Sequence, residues 1–232
     1  YMEWPDYISY TSLFPSFLSE KTVNSPSFDG HSPVWNILDP ESTNSLKKQL
    51  AQLVQNLSAM ETANRANITI DETKGRVIID PSAIVEPSTH FIGPCYIGPE
   101  AIIRHGAYIR ENSWICSGAL VGHCSEIKHS ILLPGSKAPH FNYVGDSILG
   151  KGVNLGAGVK LSNLRNDGGE VFLRIGEERI ASGLRKFGAV LGEDTQLGCN
   201  AVTNPGTVLG IRSTVMPNTT GTGIHSEESI HR

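Results

Sequence analysis

Two cationic residues, Arg110 and Lys128, lie 18 residues apart, and each directly follows an aliphatic residue. Because 18 is three times the six-residue period that runs through most of the chain, we expect the two side chains to stack on one face. Like charges on neighbouring strands repel each other unless something compensates them. A phosphate group would compensate them, and so would a carboxylate such as Glu126. The spacing therefore predicts either an anion site or an ion pair.

The histidines show the same spacing. His105 and His123 are also 18 residues apart, so they are expected to stack. Two neutral imidazoles stacked at a corner of the fold would explain this spacing without any ligand. The alternative is a metal site, because a third histidine, His129, lies nearby in the sequence and zinc often takes several histidine ligands.

His140 lies in the segment 133–143, which is out of phase with the six-residue period. We expect this segment to leave the regular scaffold as a loop, and such loops often carry chemistry. Small residues precede the histidine, and its unperturbed pKa of about 6.5 allows it to take a proton from an amine near neutral pH. The alternative is an ordinary surface histidine.

The six-residue period predicts the elements that position these residues. Large apolar residues occupy nine consecutive positions six residues apart, from Ile79 to Ile127, and the period returns over 149–161 and 191–215. Chance gives such a run with a probability on the order of 10⁻⁵. A repeat this short fits one strand and one tight turn, and three repeats close a coil. The sequence predicts an all-β fold: a left-handed parallel β-helix whose aliphatic side chains stack inward about 4.8 Å apart.

The chain divides into four parts. Residues 1–43 are rich in Ser, Pro and aromatic residues and predict an irregular N-terminal arm. Residues 44–78 are expected to hold a capping helix and a lead-in, the range 79–222 the β-helix domain, and 223–232 a C-terminal tail. The period is broken at 133–143 and again at 162–188.

The capping helix is predicted over 44–62. Its apolar residues recur at alternating steps of four and three, namely Leu46, Leu50, Leu53, Leu57 and Met60. We expect this helix to cover an open end of the column, where unpaired strand edges would otherwise invite aggregation. The break at 162–188 is expected to be a hairpin, with Asn166–Gly169 between its two β-prone runs.

Composition excludes several classes of function. The formal net charge is −4, which argues against nucleic acid as the main partner because phosphate backbones need a basic field. The four cysteines form no CxxC pair and predict free thiols in a reducing compartment, the cytoplasm. We expect no membrane span, since no run of 18 apolar residues occurs, and no signal peptide is visible.

Two stretches resemble a known family. The run GSKAPHFNYVGDSILGKGVNLGAG is similar to the acetyltransferase domain of the bifunctional enzymes that acetylate glucosamine-1-phosphate and uridylylate its product. The run SNLRNDGGEVFLRIGEERIASGLRKFGAVLG is similar to the archaeal-type sugar-1-phosphate nucleotidylyltransferases with the same C-terminal domain. The resemblance covers roughly residues 79–222. Its most specific part is a His-x-x-Tyr-x-Gly-Asp segment followed by Asn-x-Gly-Ala-Gly.

This resemblance implies an N-acetyltransferase that moves an acetyl group from acetyl-CoA to an amino-sugar phosphate such as glucosamine-1-phosphate, in UDP-N-acetylglucosamine biosynthesis. It implies that His140 is the general base and that Ala157 lies beside the thioester of the coenzyme. It also implies a homotrimer with the site between subunits, and no metal. The implied substrate-binding residues are Arg110, Lys128, Tyr143, Asn154 and Asn163.

The chain departs from the family at three points. No nucleotidyltransferase domain with its glycine-rich loop is expected. Relatives carry lysines soon after the position of Asn163, whereas here the next lysine is Lys186, and Arg165 or Arg174 is the expected substitute. Glu193 stands where bacterial relatives have a serine near the coenzyme.

Two rival functions remain open. One is a degenerate relative that binds a sugar nucleotide or a partner without turnover, with residues 1–43 as the partner-binding part. The other is an enzyme like the γ-type carbonic anhydrases, which also use hexapeptide columns and three zinc histidines; His105, His123 and His129 are the candidate ligands.

Overall fold

The computed structural model describes residues 5–19, 24–57, 67–175 and 177–232. Its body consists of three parallel sheets of eight strands each, and successive strands along the chain enter the three sheets in turn. Each strand pairs with its counterpart one coil further on, as Ile79 pairs with Ile97 and Ile97 with Ile115. The predicted left-handed parallel β-helix is confirmed.

The strands are two to four residues long. Sheet 1 contains β1 (Thr69–Asp71), β4 (His90–Ile92), β7 (Tyr108–Ile109), β10 (Glu126–Lys128), β13 (Tyr143–Gly145), β16 (Lys160–Leu161), β21 (Val202–Thr203) and β24 (Thr220–Gly221). Sheet 2 contains β2 (Val77–Ile79), β5 (Cys95–Ile97), β8 (Ser113–Ile115), β11 (Ile131–Leu132), β14 (Ile148–Leu149), β19 (Ala189–Leu191), β22 (Thr207–Leu209) and β25 (Ile224–His225). Sheet 3 contains β3 (Ile84–Val85), β6 (Ile102–Ile103), β9 (Leu120–His123), β12 (Lys137–His140), β15 (Asn154–Leu155), β20 (Gln196–Leu197), β23 (Thr214–Val215) and β26 (Ile230–His231).

The helices are short and precede the column. They are α1 (Tyr10–Leu13), α2 (Pro15–Ser19) and α3 (Leu46–Asn56), with 3₁₀ turns at Asp6–Ile8 and Val34–Leu38. Within the described ranges, none of these helices has the length and apolarity that crossing a bilayer requires.

The core of the column is a stack of apolar side chains, most of them aliphatic. Phe91, Ile109 and Ile127 of sheet 1 are fully buried, as are their counterparts on the other two sheets. Side chains alternate across a strand, so one residue per short strand points inward and its neighbours point outward. Since each coil has only three strands, the inward residues form a continuous apolar column that is stable only as a stack.

Every irregularity of the period falls at one corner, where the chain passes from sheet 1 to sheet 2. Inward residues on the other two sides of the coil follow one another at steps of six. At this corner, which we call the 1–2 corner, Ile127 to Leu132 and Val144 to Leu149 are steps of five. The insertion at 162–188 leaves the column at the same corner.

The expectation that 133–143 leaves the column as a loop is wrong. This segment contains β12, which pairs with β9 and β15 and turns Ala138 into the core. The two five-residue corners shift the phase of the period without breaking the column. Ala138 also lacks the large side chain that reveals an inward position in a sequence.

The column extends beyond 79–222 at both ends. It begins with β1 and β2 in the predicted lead-in, and it ends with β25 and β26 in the predicted tail. At the C-terminal end the column positions are occupied by Gly221, His225 and His231. The aliphatic pattern therefore fades before the strands do.

The outer face of sheet 2 is covered by the N-terminal segments and by the insertion. Its outward residues are apolar, namely Ile78, Tyr96, Trp114, Ile131, Ile148, Val190 and Val208. They form one buried cluster with Trp35 and Leu50 of the N-terminal segments and with Leu173 and Phe187 of the insertion. The rings of Trp35 and Phe187 stack with their centroids 5.7 Å apart.

Helix α3 forms within the predicted range. Ser45 caps it by accepting a hydrogen bond from the Lys48 N–H at 3.3 Å. Its buried residues Leu46, Leu50 and Val54 belong to the cluster on sheet 2. The described helix thus packs on a flank of the column, where apolar side chains face outward, and not across an open end as expected. Met60 lies outside the described residues.

The insertion contains the expected hairpin, but its strands differ from the prediction. The antiparallel pair consists of β17 (Phe172–Ile175) and β18 (Glu178–Ala181). Asn166–Gly169 was expected between the two strands of the hairpin, but it precedes both of them. Val171 and Leu173 turn inward onto sheet 2 and hold the hairpin there.

Candidate functional site

The outer face of sheet 1 carries polar side chains in two rows. The register of the sheet aligns the first row across four strands, namely Tyr108, Glu126, Tyr143 and Lys160. Because side chains alternate, the residue two places further on also faces outward, and this places Arg110 beside Lys128 in the second row. The stacking that the 18-residue spacing predicts is therefore present.

Carboxylates compensate both cations. Arg110 donates from its guanidinium to Glu126 Oε1 at 2.8 Å, and the ammonium of Lys128 lies 3.4 Å from Asp146 Oδ2. The sequence allowed either a bound anion or a neighbouring carboxylate as the compensating charge, and the structure contains the carboxylates. The Arg110–Glu126 pair is partly exposed, and such pairs contribute only about 0–1 kcal/mol. An incoming phosphate could therefore replace Glu126 as the partner of Arg110 at a small cost in free energy.

Asp146 is the centre of a polar network at the 1–2 corner. Its carboxylate accepts hydrogen bonds from the ammonium of Lys128 and the amide of Asn163. Its backbone has a φ of 48°, a left-handed conformation that Asp adopts more readily than most residues. The turn is tight because it is one of the two five-residue corners. Asp146 is 5% exposed, so it orients Lys128 and Asn163 from below the surface.

Tyr143 and Asn163 meet above Gly145. A Cβ at position 145 would lie 2.6 Å from Tyr143 Oη and 2.7 Å from Asn163 Nδ2, so only glycine leaves room for both groups. Burial raises the pKa of Tyr143, and the charge of Asp146 raises it further. The phenol therefore keeps its proton at neutral pH and can donate a hydrogen bond across the face of sheet 1.

His140 lies on the opposite edge of sheet 1, where the chain passes from sheet 3 to sheet 1. It ends β12, next to His123 of the preceding coil, and its side chain is exposed. No described residue forms a hydrogen bond with its imidazole, so both ring nitrogens are available. Its carbonyl accepts from the Gly158 N–H at 2.9 Å, which holds the turn containing Ala157 beside it.

A single chain does not bring all the predicted site residues to one point. Arg110, Lys128, Tyr143 and Asn163 form one group on sheet 1 towards the 1–2 corner. His140 and Ala157 lie at the other edge of that sheet, roughly 10 Å away across a three-residue strand. Asn154 is separate from both, since it lies on sheet 3 between Lys137 and Gln196.

The three histidines proposed as zinc ligands do not converge. His105 and His123 stack with ring centroids 5.5 Å apart, and each ring lies within hydrogen-bond distance of a backbone carbonyl. His129 lies at the 1–2 corner, where its Nε2–H donates to the carbonyl of Leu38 at 3.0 Å. The part of the chain that the structure describes contains no cluster of three or more His, Cys, Asp or Glu able to hold a metal ion.

Glu193 has a structural partner. Its carboxylate accepts hydrogen bonds from the backbone N–H groups of Ser16 and Phe17 at 2.9 and 3.3 Å, and its own N–H donates to Leu13 O. Glu193 thus anchors the N-terminal segment to the column, which accounts for a residue that the resemblance to bacterial relatives left unexplained.

Sequence reasoning did not select Asp146 as a site residue. The five-residue corner shortens this coil to 17 residues, so the register pairs Lys128 with Gly145 and Asp146 follows in the turn. A regular step of 18 residues therefore does not identify Asp146 as the partner of Lys128.

A known protein family matches most of the column. The family described as the GMPPB C-terminal domain matches residues 91–220, more than half of the chain. The chain belongs to this family. The matched range includes both edges of sheet 1, and with them Arg110, Lys128 and His140.

Two relatives extend the family match. A bifunctional sugar-1-phosphate nucleotidylyltransferase/acetyltransferase from Sulfurisphaera tokodaii is 37% identical over 185 residues, which is 79% of this chain and 43% of the relative. A bifunctional protein GlmU from Methanococcus aeolicus is 31% identical over 215 residues, 91% of this chain and 49% of the relative. The chain thus spans less than half the length of these relatives.

Among solved structures, the polysialic acid O-acetyltransferase OatWY covers 69% of this chain and 78% of its own at 18% identity, with a TM-score of 0.35.

Proposed function

We propose that this protein is an N-acetyltransferase that moves an acetyl group from acetyl-CoA to an amino-sugar phosphate such as glucosamine-1-phosphate. The observation that carries the proposal is the unbonded, exposed imidazole of His140 at the edge of a polar sheet face. The acetyltransferase activity in the name of the Sulfurisphaera relative supports it. The product would enter UDP-N-acetylglucosamine biosynthesis in the cytoplasm.

The chemistry starts with a proton transfer. The amino group of such a sugar is mostly an ammonium at neutral pH and has no lone pair for attack. His140 takes one proton, and the amine then attacks the thioester carbonyl; as the C–N bond forms, the nitrogen releases its second proton to solvent. The tetrahedral intermediate collapses with cleavage of the C–S bond, and the departing thiolate receives a proton from the imidazolium.

A backbone donor is available for the oxyanion. The N–H of Ala157 donates to no other described residue, while the neighbouring Gly156 and Gly158 N–H groups are already bonded. A free N–H in the turn held beside His140 can stabilise the negative charge that develops on the carbonyl oxygen. We therefore place the thioester of acetyl-CoA next to Ala157.

We place the acceptor across sheet 1. Arg110, Lys128, Tyr143 and Asn163 would hold its phosphate and hydroxyl groups, which supplies orientation to the reaction. Asn154 faces outward on sheet 3 and cannot join them within one chain, so we assign it to the acceptor bound by a neighbouring subunit.

This assignment requires a homotrimer with its sites between subunits. Sheet 3 offers a surface for self-association, because Ile84, Ile102 and Leu120 lie side by side on its outer face and are exposed or half-buried. Contiguous apolar residues on a surface are typical of contact surfaces. Light scattering at micromolar concentration should give three times the chain mass, and a stable monomer would remove the shared site.

The activity is tested by measuring thiol release from acetyl-CoA with a panel of glucosamine-1-phosphate, galactosamine-1-phosphate, UDP-linked amino sugars and phosphate-free glucosamine. We expect release with a 1-phosphate and little with a phosphate-free amino sugar. Binding of a sugar without release of thiol would instead indicate a relative that has lost turnover. Equal use of a phosphate-free sugar would contradict the role given to the cations.

A further inference from the structure

The turn that leads from sheet 3 to sheet 1, which we call the 3–1 corner, holds an unusual residue beside His140. The described column contains seven such turns, and each has one residue with a positive φ. This conformation suits glycine and is uncommon for bulky residues. In the turn after His140 the residue is Phe141, at a φ of 52°. The other six turns have a small or polar residue there, namely Ser88, Gly106, Cys124, Gly158, Asn200 and Asn218.

The protein holds the ring of Phe141 in place but does not cover it. The residue is 56% exposed, and its ring meets the ring of His123 edge-on with the centroids 5.3 Å apart. Its backbone N–H donates to the carbonyl of His123 at 3.0 Å. The ring of His123 is fixed in turn, because its Nδ1–H donates to the carbonyl of His105 at 2.9 Å. One side of Phe141 is therefore supported, and the rest is open to a ligand.

Both features of Phe141 are unfavourable in the free protein. A left-handed backbone costs free energy at a bulky residue, and so does apolar surface that stays in water. Residues with strained backbones cluster at active sites and ligand clamps. A ligand that packs on the ring would remove the exposed apolar surface, so the two features together indicate a contact with a ligand.

The position of Phe141 indicates which ligand that is. It directly follows His140, and its ring leans on His123, whose turn leads into β10 with Lys128. Ala157, beside which we place the thioester, lies on the following coil. Phe141 therefore lies on the side of His140 that faces the acceptor, and not on the side that faces the coenzyme.

The chemistry of a sugar matches such a ring. Hydroxyl groups project from the rim of a pyranose, whereas C–H bonds cover its faces. An aromatic ring that packs on such a face removes apolar surface from water on both partners. The residues assigned so far to the acceptor act through polar groups, and Phe141 would add the apolar contact.

We propose that Phe141 packs against the C–H face of the acceptor's sugar ring and thereby selects a sugar over other phosphate-bearing compounds. The inference rests on the proposed function for the identity of the acceptor. It also explains why a bulky residue occupies a turn position that is small or polar in the six other coils.

The test is calorimetric titration of the full chain with glucosamine-1-phosphate in the absence of any acyl donor. Phe141→Gly removes the ring at a position whose φ glycine adopts without strain. Packing of roughly 50 Å² of apolar surface is worth about a factor of 10 in affinity, so Kd should rise about 10-fold. Phe141→Tyr keeps an aromatic face and should leave Kd unchanged.

Two controls show whether the effect is specific. Asn218→Gly makes a matched change at the same turn position three coils further on, where the side chain is also exposed, and its Kd should not change. Inorganic phosphate has no C–H face, so its Kd should be the same in Phe141→Gly as in the unmodified protein.

Three results would overturn the inference. The first is an unchanged Kd for glucosamine-1-phosphate in Phe141→Gly. The second is an equal rise in Kd for inorganic phosphate, which would indicate damage to the cationic part of the site. The third is a rise in Kd for coenzyme A or a loss of the trimer in light scattering, which would assign the ring to the coenzyme or to a contact between subunits.

The outcomes also separate the inference from the proposed function. An unchanged Kd with normal thiol release contradicts only the role of Phe141. The expected rise in Kd without any thiol release supports that role and contradicts the acetyltransferase, and a chain that binds no glucosamine-1-phosphate contradicts both. Phe141→Asn is a second variant, since Asn occupies this turn position in two other coils, and thermal unfolding checks that each variant is folded.

Discussion

Sheets 1 and 2 of the column are built from the same six-residue repeat, but their outer faces differ. On sheet 2 the outward row is apolar, and the N-terminal segments and the hairpin bury it. On sheet 1 the corresponding rows are polar, with Tyr108, Glu126 and Arg110 accessible to a ligand. Since the inward residues of both sheets are equivalent, the fold is set by the inward positions, while the outward positions decide whether a face adds stability or binds a ligand.

The two faces also meet at the corner where the repeat is irregular. The five-residue corners contain His129 and Asp146, each with positive φ. His129 binds the carbonyl of Leu38, which belongs to the N-terminal segments that cover sheet 2. Asp146 binds Lys128 in the polar network of sheet 1. The two shortened corners thus carry the residues that join the cover of sheet 2 to the polar face of sheet 1.

The largest effect is expected from His140→Ala at the edge of sheet 1. General-base catalysis contributes about 10²- to 10⁴-fold, so kcat should fall by that factor while binding of the acceptor is retained. Lys137→Ala, on the same strand, should have little effect. Normal turnover of His140→Ala in the thiol-release assay, together with loss of activity in His123→Ala, would place the chemistry elsewhere on the column.

Removing one aromatic side chain from the outer face of each sheet compares the two faces directly. Trp114→Ala on sheet 2 should lower the free energy of unfolding by about 3–5 kcal/mol, because it empties a buried position and leaves the carbonyl of Asn24 without its donor. Tyr108→Ala on sheet 1 should lower it by about 1 kcal/mol. Denaturant unfolding measures both values, and equal losses would mean that sheet 1 is covered as well.

The smallest effect is expected from the titration of His129, whose ring binds the carbonyl of Leu38. Burial lowers the pKa of His129 below its ordinary value of 6.5. The hydrogen bond to Leu38 O and the charges of Asp146 and Glu111 oppose this shift, while the cation of Lys128 adds to it. The unfolded chain therefore takes up this proton first as the pH falls. The free energy of unfolding should drop below pH 6.5 by at most about 1.4 kcal/mol per pH unit.

The control for this prediction is His129→Gln, which keeps a donor for Leu38 O but does not titrate. The difference in the free energy of unfolding between the unmodified protein and His129→Gln should become smaller as the pH falls from 6.5. A difference that is independent of pH would show that His129 does not titrate with unfolding.

Much of the fold was predictable from the sequence because the column repeats one local rule. Nine large apolar residues at steps of six predicted the inward stack, and the same arithmetic placed Arg110 beside Lys128. The phase shifts at the 1–2 corner make 133–143 resemble a loop, because in a sequence one missing residue at a turn looks the same as a departure from the column. His140 was selected on that basis, but it ends a regular strand.

The rest of the site depends on contacts that no period encodes. Leu38 and His129 are far apart in the sequence and meet only because the N-terminal segments dock on sheet 2. Glu193 was compared with a coenzyme residue because its anchoring partners, Ser16 and Phe17, lie in a segment without any repeat.

The central claim, that sheet 1 binds the acceptor while sheet 2 only supports the fold, is tested most directly by hydrogen–deuterium exchange with and without glucosamine-1-phosphate. We predict added protection at 108–112, 126–130 and 143–147, and none at 5–19, where the chain docks beside Glu193 on the other side of the column. Protection at 5–19 without any change in the three sheet 1 segments would contradict the account.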